Sequence, residues 1–197
     1  MITSPGLQQT DNDVFWGEIA PCEHLVQIYD HDDVFLDSLE GFVAGGIRND
    51  DGVIVIATGA HLLALENRLV TRGCDFIGAR SRDQYIAVDA EEALSRFMIE
   101  GWPNDDLFRV FVTELLVRGR GNGRRVRAFG EMVALLWAQG HNGATVRLEH
   151  LWHMFCRQEA FCLFCAYPKT GFTQDASASI REICETHTRV VAGSRAA

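Results

Sequence analysis

One short run of residues constrains the fold of this chain more than any other part of its sequence. The run Val53-Ile-Val-Ile-Ala57 is apolar throughout and consists mainly of β-branched residues. A strand with one face in water would alternate apolar and polar side chains, so this strand is expected to be covered on both faces. Such strands are typical of parallel sheets with helices on each side. The run therefore predicts a three-layer α/β domain with a mainly parallel sheet.

Other strands and helices alternate along the chain in the manner of repeated βαβ units. Strands are predicted at residues 24–29, 85–88, 126–129 and 160–167, and the segments between them have apolar residues at helical spacing. Segment 177–191 is predicted to be a helix with a short strand at its end. This alternation supports the α/β assignment, because parallel strands need long crossover connections.

Glycine and proline residues predict where some of these helices begin and end. The helix after the first strand is expected to end at Gly45-Gly46, and Pro103 is expected in the first turn of a later helix. No repeat or linker divides the chain. One domain is therefore predicted at 22–191, between a flexible arm at 1–21 and a loose tail at 192–197.

Charge and hydropathy exclude several classes of function. The formal net charge is −9 at pH 7, which disfavours direct binding of nucleic acid. The basic run from Arg118 to Arg127 is interpreted as a solvated, glycine-rich loop that enters a strand. No run approaches the ~18 apolar residues needed to cross a bilayer, and no signal-peptide pattern is present. A cytoplasmic protein with reduced cysteines and no membrane contact is expected.

Ligands of open parallel sheets bind beyond the carboxyl ends of the strands, near points where the strand order reverses. The loops that follow the predicted strands are therefore the places where a site is expected. They cover residues 29–33, 58–61, 89–92, 129–131 and 167–172, and polar or aromatic residues gather in several of them.

The loop after the first strand is informative because it lacks a phosphate-binding motif. Tyr29, Asp30 and His31 are followed by two further aspartates, without the glycines or the lysine that surround bound phosphates. Its carboxylates would repel a triphosphate, so nucleotide hydrolysis is not expected. Two interpretations stay open: the acidic residues cap the next helix and complement its dipole, or they bind a ligand or Mg²⁺.

Three more positions are candidates for contact with a ligand. Gly130 and Glu131 lie where the fourth predicted strand meets a helix. Gly130 would allow close approach of the backbone, and Glu131 would either accept a hydrogen bond in a pocket or complement the helix dipole. His187 near the end of the chain would either reach the pocket or remain at the surface. None of these forms a known catalytic constellation, so an enzyme is not predicted.

One segment mixes residues that are able to bind metal ions. Glu149, His150 and His153 are expected on one helix, and Cys162 and Cys165 on the next strand. Residues three apart in a strand point to opposite faces, so the two cysteines cannot readily chelate one ion. Core thiols and surface histidines are the favoured interpretation. No metal site is predicted.

Several segments together resemble one known family. The most specific is Val126-Arg-Ala-Phe-Gly-Glu-Met-Val-Ala-Leu-Leu-Trp-Ala-Gln-Gly140, and the opening strand and three later segments follow in the family's order: Leu148-Glu-His-Leu-Trp152, Cys165-Ala-Tyr-Pro168 and Ile183-Cys-Glu-Thr-His-Thr-Arg-Val190. The chain resembles MEDS domains, which are sensory domains named from methanogens and methylotrophs and typified by a dichloromethane-responsive regulator. The resemblance covers residues 22–191. His153 departs from it, because many relatives have asparagine there.

The resemblance implies a RecA/KaiC-like fold that has lost its phosphate-binding loop. It also implies a non-catalytic sensory or regulatory domain that binds a small organic ligand without a cofactor and signals through a partner, such as a histidine kinase or a transcription regulator. The residues expected to bind the ligand lie at or near the predicted loops: Tyr29, Asp30, His31, Gly130, Glu131, Glu149, Tyr167 and His187.

Other hypotheses remain open at this point. The chain could be an atypical nucleotide-binding protein that has kept an ancestral cleft. It could instead be an interaction scaffold with an empty cleft and an exposed patch formed by Trp16, Trp102 or Trp152. A redox or metal sensor built on the cysteines is a further alternative. The sequence also leaves a homodimer open.

Overall fold

A computed structural model describes residues 15–121, 123–171, 183, 185 and 187–191. Most of the predicted arm, most of the helix predicted at 177–191 and the tail at 192–197 lie outside these residues. The main sheet has six strands: β1 (His24–Tyr29), β2 (Gly52–Ala57), β3 (Tyr85–Asp89), β6 (Val126–Gly130), β7 (Cys162–Pro168) and β8 (Arg189–Val191). Their order across the sheet is β3-β2-β6-β7-β1-β8, and all neighbouring pairs are parallel.

Helices connect these strands, and a two-stranded antiparallel hairpin interrupts one connection. The hairpin consists of β4 (Met98–Ile99) and β5 (Trp102–Pro103). The helices are α1 (Asp32–Arg48), α2 (Gly59–Thr71), α3 (Phe76–Ser81), α4 (Ala90–Phe97), α5 (Asp105–Arg120), α6 (Met132–Ala138) and α7 (Asn142–Glu159). None of the helices within the described residues is long and apolar enough to cross a membrane.

The helices cover both faces of the sheet, which confirms the predicted three-layer α/β architecture. The connections β1–α1–β2 and β2–α2–α3–β3 run in one direction along the strand order, and those from β3 to β6 and from β6 to β7 run in the other. Right-handed crossovers place connections of opposite direction on opposite faces. Two hydrophobic cores result, one beneath α1–α3 and one beneath α4–α7.

Side chains of each strand alternate between these two cores. In β7, Cys162 and Phe164 lie in the core beneath α1–α3, whereas Cys165 and Tyr167 lie in the core beneath α4–α7. This confirms the prediction that Cys162 and Cys165 face opposite sides of the sheet. The run at β2 is buried along its whole length, as its composition predicts.

Two predicted helix boundaries were wrong. Helix α1 continues through Gly45 and Gly46 to Arg48. An added Cβ at Gly45 would lie 2.9 Å from the carbonyl oxygen of Trp16, so this glycine permits close packing and does not end the helix. Pro103 lies in β5, and α5 begins at Asp105, because the side chain of Asn104 caps the helix by accepting from the backbone N–H of Leu107 at 3.0 Å.

A buried ion pair joins the amino-terminal part of the domain to the central strand β6. The Nε atom of Arg127 lies 3.0 Å from Oδ2 of Asp51, and its Nη1 donates to the carbonyl oxygens of Trp16 at 2.8 Å and Phe42 at 3.2 Å. Both charged side chains are almost fully buried. Arg127 is therefore not part of a solvated basic surface, although it ends the basic run.

Removing one charge of this pair would leave the other uncompensated inside the protein. We expect Asp51→Asn to lower the free energy of unfolding by about 3 kcal/mol, because a buried unpaired guanidinium is costly. Urea denaturation of the full chain measures this change. The matched control is Asp50→Asn, at the exposed neighbouring position. Asp50 has a left-handed φ of 56°, which asparagine also adopts readily. This variant should change the free energy of unfolding by no more than about 0.5 kcal/mol. Equal losses in the two variants would contradict the prediction.

Candidate functional site

We call the space beyond the carboxyl ends of β2 and β6, which are neighbours in the sheet, the crevice. The chain leaves β2 toward α2 on one face and leaves β6 toward α6 on the other. Divergence of this kind between adjacent parallel strands is where open α/β sheets place their ligands. β7 and β1 are also parallel neighbours in the sheet.

Glu131 follows β6 directly and closes the bottom of this crevice. Its Oε2 accepts a hydrogen bond from the backbone N–H of Thr58 at 2.8 Å, and its Oε1 lies 2.8 Å from Nδ1 of His61. A carboxylate only accepts hydrogen bonds, so Nδ1 of His61 carries the proton. Its own backbone N–H donates to Ile56 at 2.9 Å. One carboxylate that is 6% exposed thus joins the ends of β2 and β6 to the start of α2.

The imidazole of His61 lies above this carboxylate at the mouth of the crevice. Its side chain is 18% exposed, and its Nε2 lies 4.0 Å from Oδ2 of Asp32 at the start of α1. The ring makes an edge contact with Phe35 at a centroid distance of 5.1 Å. The hydrogen bond with Glu131 raises the pKa of His61 above its ordinary value, and the charges of Glu131 and Asp32 add to this effect against the opposing effect of burial.

Tyr29 forms the side of the crevice at the end of β1. Its ring stacks on Phe35 at 4.9 Å and is largely buried. Burial raises the pKa of the Tyr29 phenol above its ordinary value, and the nearby carboxylates of Glu131 and Asp32 raise it further. The phenol therefore remains neutral and is able to donate a hydrogen bond.

Asp30, His31 and Gly130 occupy other positions around this region. Asp30 and His31 are exposed at the rim, where Asp30 lies 3.2 Å from Nζ of Lys169 and His31 is the N-cap residue of α1 without a side-chain capping bond. Gly130 is buried, and an added Cβ would meet Met132 at 3.6 Å and Trp152 at 3.9 Å. The Cβ position of Gly130 thus faces the α4–α7 side and not the crevice.

Glu149, Tyr167 and His187 come together in a second place, in the core beneath α4–α7. The hydroxyl of Tyr167 donates to Oε1 of Glu149, and Nε2 of His187 lies 3.6 Å from Oε2 of Glu149. His24, at the start of β1, completes the group with its Nε2 3.7 Å from the same oxygen. These three predicted ligand residues therefore form a buried cluster that is separate from the crevice.

Burial shifts the titration of several groups in this cluster. It raises the pKa of Glu149 to about 7, although the hydrogen bond from Tyr167 opposes the shift. Burial also lowers the pKa of His24 to about 2 and that of His187 to about 4, and the mutual repulsion of the histidine rings contributes to the shift at His24. Each of these shifts favours the uncharged form.

Two side chains at these places were not among the predicted ligand residues, His61 in the crevice and His24 in the buried cluster. His61 lies in one of the loops expected to form a site, yet no motif distinguishes it. His24 begins a predicted buried strand, where a histidine is an unusual residue. That signal was available, but the identity of its neighbours depends on strand order.

A known protein family matches most of the chain. The family described as MEDS, methanogen/methylotroph, DcmR sensory domain, matches residues 23–188. The chain belongs to the MEDS family. This membership supports a sensory or regulatory role for the MEDS domain described here. No curated protein matches the chain.

The structure also bears on the hypothesis of an interaction scaffold. Trp16 and Trp152 are fully buried, whereas Trp102 in β5 is half exposed. Trp16 packs against Phe42 and Phe164 beneath α1–α3, and Trp152 packs on the other side of the sheet. Of the three tryptophans that the scaffold hypothesis would place in an exposed patch, only Trp102 is therefore at the surface.

The raised pKa of His61 predicts a defined dependence of stability on pH. Protonated His61 is stabilised by Glu131 and Asp32, with the neutral Tyr29 phenol beside them. A raised folded-state pKa gives a contribution that is complete below about pH 6.5, the unfolded value, and is lost as the pH rises through the folded value. Urea denaturation measured from below pH 6.5 upward should show that wild type has a higher free energy of unfolding than His61→Gln at low pH. This difference should shrink as the pH rises.

The control for this experiment is His150→Gln, at an exposed position on α7. This variant keeps His61, Glu131 and Asp32, so its loss of stability with rising pH should follow that of wild type. An NMR titration of His61 gives an independent value, and a midpoint below about 6.5, the ordinary value for histidine, would contradict the prediction.

Proposed function

We propose that this MEDS domain binds a small, polar, uncharged organic molecule in the crevice above Glu131 and transmits its occupancy through helix α2. The observation that carries this proposal is the position of Glu131. Its carboxylate holds the first amide of the α2 segment and the side chain of His61 at once. A molecule that contacts His61 therefore acts on the same network that fixes α2.

The charges around the crevice favour an uncharged ligand. Asp30 and Asp32 lie at the rim, and Glu131 lies at the bottom. The carboxylates of Asp32 and Glu131 repel phosphates and other anions, since the one lysine at the rim, Lys169, pairs with Asp30. The donors that face this region are the phenol of Tyr29 and the Nε2–H of protonated His61, so a hydroxyl, carbonyl or amide oxygen suits the site.

Helix α2 provides a route from the crevice to the surface. Its residue Arg68 pairs with Asp37 and Asp33 of α1 at 2.5 Å and 3.0 Å, so the two helices are coupled on their outer side. Leu63 and Val70 of α2 are exposed apolar residues. A shift of α2 would change this surface, which is where we place the contact with a signalling partner such as a histidine kinase or a transcription regulator.

A thermal-shift screen of the full chain tests the ligand-binding part of this proposal. The probes are short alcohols, ketones, amides and halogenated hydrocarbons, with ATP and Mg²⁺ as a separate arm. At least one uncharged probe is expected to raise the unfolding temperature, since a ligand at 100 times its Kd stabilises by about 2.7 kcal/mol. The shift should disappear in Tyr29→Phe and His61→Gln, which remove one donor each.

His150→Gln is the matched control and should keep the full shift, because its side chain lies outside the crevice. An unchanged shift in both Tyr29→Phe and His61→Gln would place the ligand elsewhere. A shift with ATP and Mg²⁺ but with no uncharged probe would instead support the nucleotide-binding hypothesis.

A further inference from the structure

Four buried side chains with metal-binding atoms meet in the core beneath α4–α7. They are His24 of β1, Glu149 of α7, Cys165 of β7 and His187, and one potential ligand atom from each lies within 4.8 Å of the other three. All four residues are buried. No proposed contact with the organic ligand involves them, so this cluster needs an explanation of its own.

We propose that His24, Glu149, Cys165 and His187 form a closed tetrahedral site for one zinc ion. This set combines a thiolate, two imidazoles and a carboxylate, which are the ligand types that zinc takes in proteins. A soft sulfur ligand disfavours Mg²⁺ and Ca²⁺, which prefer oxygen donors. The inference concerns a site distinct from the crevice and does not depend on the proposed sensory function.

The distances between the ligand atoms agree with this geometry. Bonds of 2.0–2.3 Å to a tetrahedral zinc ion place neighbouring ligand atoms roughly 3.3–3.6 Å apart. Sγ of Cys165 lies 3.5 Å from Nε2 of His24. Oε2 of Glu149 lies 3.7 Å from Nε2 of His24 and 3.6 Å from Nε2 of His187. A small contraction around an ion would complete the tetrahedron.

Charge balance also favours a divalent ion. Cys165 as a thiolate and Glu149 as a carboxylate bring two negative charges, and the two histidines bind as neutral imidazoles. The complex with Zn²⁺ is therefore neutral, which removes the large cost of burying isolated charges. Metal coordination deprotonates the thiol directly.

Neighbouring groups orient two of the ligands. Nδ1 of His187 lies 2.5 Å from the carbonyl oxygen of Ile183 and donates to it, so Nε2 presents its lone pair to the cluster. The hydroxyl of Tyr167 holds Oε1 of Glu149 and leaves Oε2 facing the cluster. Histidines and carboxylates that bind zinc are commonly held in this way by outer hydrogen bonds.

Without an ion, two buried polar atoms of this cluster have no hydrogen-bond partner. Among the described residues, Oε2 of Glu149 and Nδ1 of His24 are buried and have no hydrogen-bond partner. A buried acceptor without a partner costs about 1–3 kcal/mol. A metal ion at the centre would bind Oε2 of Glu149, because the hydrogen bond from Tyr167 goes to Oε1 and Oε2 accepts none.

A zinc ion here would act as a structural link. The ligands come from β1, α7, β7 and the residue that precedes β8 by two positions. Sites with four protein ligands and no open position are structural in other zinc proteins. The ion would hold the edge of the sheet and α7 together from the inside.

Metal analysis and cobalt substitution test this inference on the purified full chain. Mass spectrometry of metals should find one zinc ion per chain. Co²⁺ exchanged into the site should give the strong visible bands of a tetrahedral complex and a thiolate charge-transfer band. X-ray absorption should show one sulfur at about 2.3 Å and three nitrogen or oxygen atoms at about 2.0–2.2 Å.

Matched variants identify the ligands. Cys165→Ser should remove the thiolate band, whereas Cys162→Ser, three residues away on the opposite face of β7, should keep it. Tyr167→Phe removes only an outer hydrogen bond and should weaken zinc binding by about 10–100-fold. His150→Gln, next to Glu149 but exposed, should leave affinity unchanged.

The outcomes separate clearly. Metal-free protein that binds neither Zn²⁺ nor Co²⁺ would overturn the inference, and so would a thiolate band that persists in Cys165→Ser. If Cys165→Ser fails to fold, the X-ray absorption spectrum of wild type and the affinity of Tyr167→Phe decide the question. Loss of the organic-ligand shift with zinc binding intact would contradict the proposed function and leave this inference standing.

Discussion

A parallel sheet buried on both faces gives each strand two separate environments, and the rest of this structure depends on that constraint. Successive side chains of a strand point to opposite faces. In β1, Tyr29 therefore lies beneath α1–α3 beside the crevice, while His24 lies on the α7 side with Glu149 and Cys165. One strand of six residues thus contributes to two sites that share no side chain.

Three buried acidic side chains differ in the partners that contact their carboxylate oxygens. Asp51 is matched by the guanidinium of Arg127, and Glu131 is matched by an amide and by His61. At Glu149 the hydroxyl of Tyr167 satisfies one oxygen, and two imidazoles face the other from beyond hydrogen-bond distance. The first two carboxylates are held as charged structural links, whereas the third has room for a cation between itself and its neighbours.

Helix ends and site residues differ in how well the sequence predicts them. Asp89 is the N-cap residue of α4, as its position after a predicted strand suggests, and it accepts from Glu91 and Glu92. Gly45 misled the prediction because its missing Cβ serves packing against Trp16. Among the predicted ligand residues, Tyr29 and Glu131 do meet in the crevice. Glu149, Tyr167 and His187 do not, since alternation along β7 directs Tyr167 to the other face, where it contacts Glu149 of α7 and where His187 lies 3.6 Å from the same carboxylate.

The sequence by itself determined the class of fold, because an uninterrupted apolar strand and alternating helices admit little else than a parallel sheet between two helical layers. It also determined that the loop after β1 has no phosphate cradle. The tertiary structure alone decided which strands are neighbours. Pairing of β1 with β7 brings His24 and Cys165 to 3.5 Å across 141 residues of chain, and no local pattern encodes that distance, since it follows from the order in which crossovers place the strands.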